Sequence, residues 1–133
     1  MEKSPQFIIG IDEAGRGPLA GPVAVGAVMI KKPHHISKFS KSNFGNLPKL
    51  KDSKKLSEKQ RGQWFEFLKQ EKRKGNLDFA VALVSEKIID KQGIVAAIKI
   101  GISRCLKLLS LIPSTCLILL DGSLKAPLEF VNQ

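Results

Sequence analysis

Three carboxylates stand out because each ends an apolar run that reads as a strand. Asp12 and Glu13 close the run Phe7–Ile11, and Asp121 closes Cys116–Leu120. In open α/β sheets ligands bind at the carboxyl ends of strands, so if these two strands are parallel neighbours their acids converge. Clustered carboxylates repel one another, and a divalent cation removes that cost. All-oxygen ligands select a hard ion such as Mg²⁺ or Mn²⁺. Adjacent residues of a regular strand point to opposite faces, so Asp12 and Glu13 share an ion only where the strand ends or bulges. The plainer alternative is a pair of polar residues at a strand end. Gly15-Arg16-Gly17 follows at once. Its amides and single guanidinium suit a phosphate or a sugar hydroxyl, although such a triplet also occurs in ordinary turns. It is not a Walker A loop, since no Gly-Lys-Ser/Thr follows.

The elements that must hold these groups are legible in the pattern. A second strand spans Val23–Ile30 after a turn rich in Gly and Pro, and residues 31–50 read as a loop. Residues 57–74 read as a helix. Ser57 and Gln60 have the spacing of a capping box, Gly75 follows the last turn, and Trp64, Phe65 and Leu68 form the expected inner face. Asp78–Ser85 reads as a third strand. A second helix runs from about Ile94 to Ser110. Its stripe of Ile94, Ala97, Ile98, Gly101, Ile102, Cys105, Leu108 and Leu109 follows the i, i+3, i+4, i+7 rule, and Pro113 stops it. Cys116–Leu120 is continuously apolar, as suits a central strand covered on both faces. Strand, strand, helix, strand, helix, strand is an α/β order with a mixed sheet.

The chain has 133 residues, enough for one domain. With 43% hydrophobic and 26% charged residues, disorder and a membrane span are both poor readings. The formal net charge of +10 is confined to residues 31–74, which hold 14 Lys/Arg and 4 Asp/Glu; the rest is balanced. A neutral body with one basic segment fits a polyanionic partner or a solvated lysine-rich face. His34 and His35 read as surface residues, and Trp64 and Phe65 as core rather than base-stacking groups. Cys105 and Cys116 show no metal-binding spacing and read as buried hydrophobes in a reducing compartment. The N-terminus is not a signal peptide, so the expectation is a cytoplasmic protein.

Ile11-Asp12-Glu13-Ala14-Gly15-Arg16-Gly17-Pro18-Leu19-Ala20-Gly21-Pro22-Val23 resembles the signature of bacterial ribonuclease HII. Leu50–Ser57, Ile89–Ile94 and Leu119–Gly122 resemble three further blocks in the family's order, and Arg16 favours type HII over type HIII. The resemblance implies a ribonuclease H-like fold with a mixed sheet and flanking helices. It implies a cytoplasmic endonuclease, monomeric when full-length and independent of membranes, that cuts the RNA strand of RNA–DNA hybrids. It also implies cutting 5′ of ribonucleotides embedded in duplex DNA, with Mn²⁺ or Mg²⁺ as cofactor. By position, Asp12, Glu13 and Asp121 match catalytic, metal-binding carboxylates. Gly15, Arg16 and Gly17 match the motif that senses the 2′-hydroxyl, the group that distinguishes RNA from DNA. Lys54 matches a phosphate-contacting lysine.

The departures are as informative. The family's fourth carboxylate has no counterpart, Glu129 being too close to Asp121, and the chain contains no tyrosine where the family has one near the junction. Gly93 stands where an Asn is usual, which is expected to weaken the start of that helix. The sequence resembles the N-terminal part of a ribonuclease HII, a single incomplete domain lacking the C-terminal strand and helices. Residues 1–133 are accordingly expected to be marginally stable and inactive or nearly so. Two other readings are a non-catalytic nucleic-acid-binding fragment and a small domain whose basic segment is merely solvated.

Overall fold

The computed structural model describes residues 6–15, 21–31, 47–49, 51–110 and 115–120. Four strands, β1 (Phe7–Ala14), β2 (Val23–Lys31), β3 (Leu77–Val84) and β4 (Cys116–Leu120), form one sheet in the order β3-β2-β1-β4. β1, β2 and β3 make an antiparallel meander, whereas β4 joins β1 in parallel. The sheet is mixed, as the sequence pattern implies.

A parallel partner cannot be reached by a tight turn. After β3 the chain crosses the sheet through α2 (Glu86–Gln92) and α3 (Ile94–Leu108) before entering β4. α3 lies on β2 and β3, with Ala97, Ile98, Gly101, Ile102, Cys105 and Leu106 buried. They meet Ile9, Ile11, Val23, Val25, Ala80, Ala82, Val84, Cys116 and Ile118 from the sheet. Fully burying Ile98 and Ile102 contributes about 1.5–3 kcal/mol each. Leu108, expected in this stripe, is instead 65% exposed. It sits at the stripe's margin in the last turn, and Leu106 and Leu109 take up the core contact.

Gly101 is where α3 comes nearest the sheet. A Cβ there would lie 2.4 Å from Val25 Cγ2 and 3.0 Å from Val25 Cβ. Gly93 has a different task. It is at once the C-cap of α2 and the N-cap of α3, with φ 91° and ψ 164°, a region open essentially to glycine alone. Its carbonyl accepts the Ala97 N–H at 3.1 Å. α3 starts at Ile94 without a side-chain cap, and an Asn at these angles would be strained.

α1 (Glu58–Arg73) has the expected capping box, Ser57 Oγ accepting the Gln60 N–H at 3.1 Å and Gln60 Oε1 accepting the Ser57 N–H at 2.9 Å. It packs on β3, and its Phe65 ring meets Phe79 edge-on at 5.8 Å. By the two-residue strand period Phe79 faces away from Ala80, Ala82 and Val84, so α1 lies on the face opposite α3. Trp64 is buried and Leu68 half-buried, but Phe65 is 45% exposed, because it borders sheet that no helix of the described residues covers. β4 also differs from expectation. Among the described residues it pairs only with β1 and forms the sheet edge. Cys116 and Ile118 are fully buried, while Leu119 on the other face is 53% exposed. A continuous apolar run does not distinguish a central strand from an edge strand that is dry on one side.

Two outcomes follow from this packing. Gly101→Ala gains up to ~1 kcal/mol of helix propensity but drives a methyl into Val25, for a net loss of about 1–3 kcal/mol. Urea denaturation checks this, and Val25→Ala in the same chain should recover part of the loss. Burial also pushes the Cys105 and Cys116 thiols above their ordinary pKa. The folded chain then keeps protons that the unfolded chain releases, so stability falls as pH rises past the ordinary thiol value of ~8.5. Urea midpoints between pH 7 and pH 10 should decline less steeply in Cys105→Ala.

Candidate functional site

β1 is regular to its end. Asp12 pairs with Gly26, Glu13 with Val25 and Ala14 with Ala24, without a bulge. The break that would let both acids share a face is absent, and the pleat sends them to opposite sides. Ile9 and Ile11 are buried against α3, and Glu13 follows them on that side, half-buried. Asp12 is exposed on the other face, beside Gly10. The Glu13 N–H donates to Asp12 Oδ1 at 2.9 Å, which ties the Asp12 carboxylate to the strand's end.

Asp12 borders a shallow depression with Gly10, Gly26, Val28, Leu119 and Leu120. At both Gly10 and Gly26 an added Cβ would meet nothing within 4 Å, so the surface beside Asp12 is bare backbone. The spacing of the acids does not point to these two glycines. The available signal is glycine inside a strand, which commonly marks close approach by a ligand or another backbone.

The parallel ladder sets Ile11 opposite Leu120. The carboxyl ends of β1 and β4 thus lie side by side. In the sequence the residues immediately after this pair are Asp12 and Asp121. Asp121, Arg16 and Gly17 lie outside the described residues, as do His34 and His35. Among the described residues no group of three or more His, Cys, Asp or Glu side chains is placed to hold a metal ion. Gly15 follows β1 with φ +90°, and a Cβ on it would stand 2.9 Å from the Pro22 carbonyl oxygen. It lets the chain leave β1 tight against the start of β2.

Lys54 lies in a short 3₁₀ turn, Ser53–Lys55, just before α1. Asp52 Oδ1 accepts the Lys54 N–H at 3.1 Å, and the Lys54 side chain is exposed. Lys51, Lys55 and Lys59 are exposed around it, so the turn presents positive charge to solvent. Lys69 and Lys72, further along α1, are engaged locally with Glu66 and Asp78. No helix of the described residues is long and apolar enough to cross a membrane.

Comparison with known proteins gives a consistent picture. Residues 9–128 match the ribonuclease HII family. The ribonuclease HII of Endomicrobium trichonymphae is 42% identical over 118 residues, covering 89% of this chain and 48% of that protein. That of Chlorobium chlorochromatii (strain CaD3) is 38% identical, covering 89% of this chain and 52% of that protein. The chain thus spans about half the length of the relatives it matches. Among solved structures, that of Bst-RNase HIII in complex with Mn²⁺ superposes with a TM-score of 0.60 at 19% identity, covering 97% of this chain and 41% of that one. That likeness shows a ribonuclease H-like α/β fold.

Gly15→Ala tests the junction on which the site rests. The positive φ and the 2.9 Å approach to Pro22 should cost about 1–3 kcal/mol, read as a lowered thermal midpoint with the helical circular-dichroism signal retained below it.

Proposed function

Because the chain belongs to the ribonuclease HII family, we propose that the protein it represents is an endonuclease for RNA–DNA hybrids. It cleaves the RNA strand, and it cuts 5′ of single ribonucleotides in duplex DNA. The observation that supports this most is the parallel β1–β4 register, Ile11 beside Leu120, each of which is followed in the sequence by an aspartate.

The donor set suits a hard divalent cation, since Asp12, Glu13 and Asp121 offer only carboxylate oxygens. The bare backbone at Gly10 and Gly26 leaves room beside Asp12. We assign Asp12 and Asp121 as the holders of Mg²⁺ or Mn²⁺; Glu13, which the pleat turns to the other face of β1, is a ligand by family resemblance alone. When bound, the ion would activate a water and stabilise the leaving oxygen. Gly15, Arg16 and Gly17 would read the 2′-hydroxyl through close main-chain approach. Lys54 would hold a backbone phosphate, contributing affinity without reading sequence. The domain is read as an incomplete ribonuclease H unit of a cytoplasmic protein, monomeric when whole.

Within residues 1–133 the family's fourth carboxylate has no counterpart, so the chain by itself is expected to cut a single-ribonucleotide duplex slowly or not at all. Joined to the C-terminal half of the Endomicrobium relative, it should cut with Mn²⁺, and Asp12→Asn should abolish that cleavage. A fused protein that stays inactive, or an Asp12→Asn variant that remains active, sinks the assignment. The exposed basic turn also supports a second reading, a nucleic-acid-binding unit without catalysis; salt-sensitive hybrid binding by the fusion without cleavage would favour it.

A further inference from the structure

Arg61 lies in the basic segment, yet it is not turned outward as a free cation. Its Nη1 donates to the Leu56 carbonyl at 2.8 Å and to the Ser53 carbonyl at 3.3 Å. Those oxygens belong to the two ends of the turn that carries Lys54. One helical turn further on, Trp64 Nε1 donates to the Pro48 carbonyl at 3.1 Å, fixing the stretch that leads into the turn. Trp64 is buried, and so is Leu56, whose carbonyl Arg61 holds. Lys54 and Lys55 make no ion pair among the described residues.

We infer that Arg61 and Trp64 are positioning residues, which tie the turn Ser53–Leu56 and the backbone at Pro48 to α1 so that Lys54 is presented in one fixed place for a substrate phosphate. This rests on the reading of Lys54 given above. The physical argument is that a lysine on a mobile loop loses ordering entropy when it binds, whereas a preorganised one does not. A 3₁₀ turn of one step, with the Leu56 N–H reaching Ser53 O at only 3.3 Å, has little intrinsic stability. Charge-assisted bonds from an arginine are stronger than neutral ones and hold both ends of such a turn at once.

The test measures anisotropy of the fusion described above, carrying Asp12→Asn to prevent cleavage, on a labelled RNA–DNA hybrid over a range of salt, with hydrogen exchange at the Leu56 amide. Lys54→Met should weaken binding and reduce the salt slope by about one phosphate's worth. Arg61→Met should weaken it by about three- to tenfold and speed exchange at Leu56, and the double variant should be little worse than the worse single one, because both act through one contact. Trp64→Phe keeps an aromatic ring and changes no charge but loses the N–H donor. It should also weaken binding and lower the salt slope, which loss of a charged contact of its own cannot explain. Additive losses in the double variant, unchanged exchange at Leu56 in Arg61→Met, or an unaffected salt slope in Trp64→Phe overturns the inference. An unaffected Lys54→Met instead overturns the phosphate role of Lys54, and the positioning role falls with it.

Discussion

The parallel pairing of β1 with β4 is the constraint from which the rest of the architecture follows. Strands that run side by side in one direction need a crossover, and here that crossover is α2 and α3. Laying α3 on β2 and β3 buries Ile98, Ile102 and Cys105 completely. The close approach is possible because residue 101 has no side chain to strike Val25. The same pairing brings two carboxyl ends together, which is the geometry a carboxylate-held cation requires.

The two faces of the sheet are unequal, and that inequality divides the first two acids. Glu13 continues the Ile9 and Ile11 side toward α3, whereas Asp12 opens onto bare strand beside Gly10 and Gly26. α1 meets that second face at Phe79, near the start of β3, while Val81 and Leu83 further along β3 and Leu119 on β4 are exposed. Apolar surface of this kind ordinarily marks a place where something else packs. Asp12 therefore sits at the border between open sheet and the end of the strand, the position from which a carboxylate can reach a ligand.

The basic segment is organised by hydrogen bonds rather than by a core. Asp52, Arg61 and the Ser57–Gln60 box hold a single turn in place, and Trp64 secures the chain before it. Lysine charge is thereby attached to a helix end that is fixed by its packing on β3. Positive charge and carboxylates occupy separate structural units, each with its own means of support.

Much of this was legible in the sequence, because it depends on neighbours within one turn of helix or one strand. The capping box of α1, the apolar stripe of α3 and the four strands follow from local spacing, and the motif from Ile11 to Val23 carries the family resemblance by itself. What local pattern could not tell was which surfaces another element covers. Phe65 and Leu108 lie at the margins of their stripes and are exposed for want of a neighbour. Leu119 belongs to a run that looks central but borders an open edge. Arg61 has no sequence signal, since an arginine near lysines reads as one more surface charge until its partners are seen. The order of residues alone settled the four strands, the two long helices and the chemistry of the side chains, but not the short α2 or the 3₁₀ turn before α1. Only the tertiary structure decided that Asp12 and Glu13 part to opposite faces and that β4 lies against β1, because pleat, register and coverage are set by strands and helices far apart in the chain.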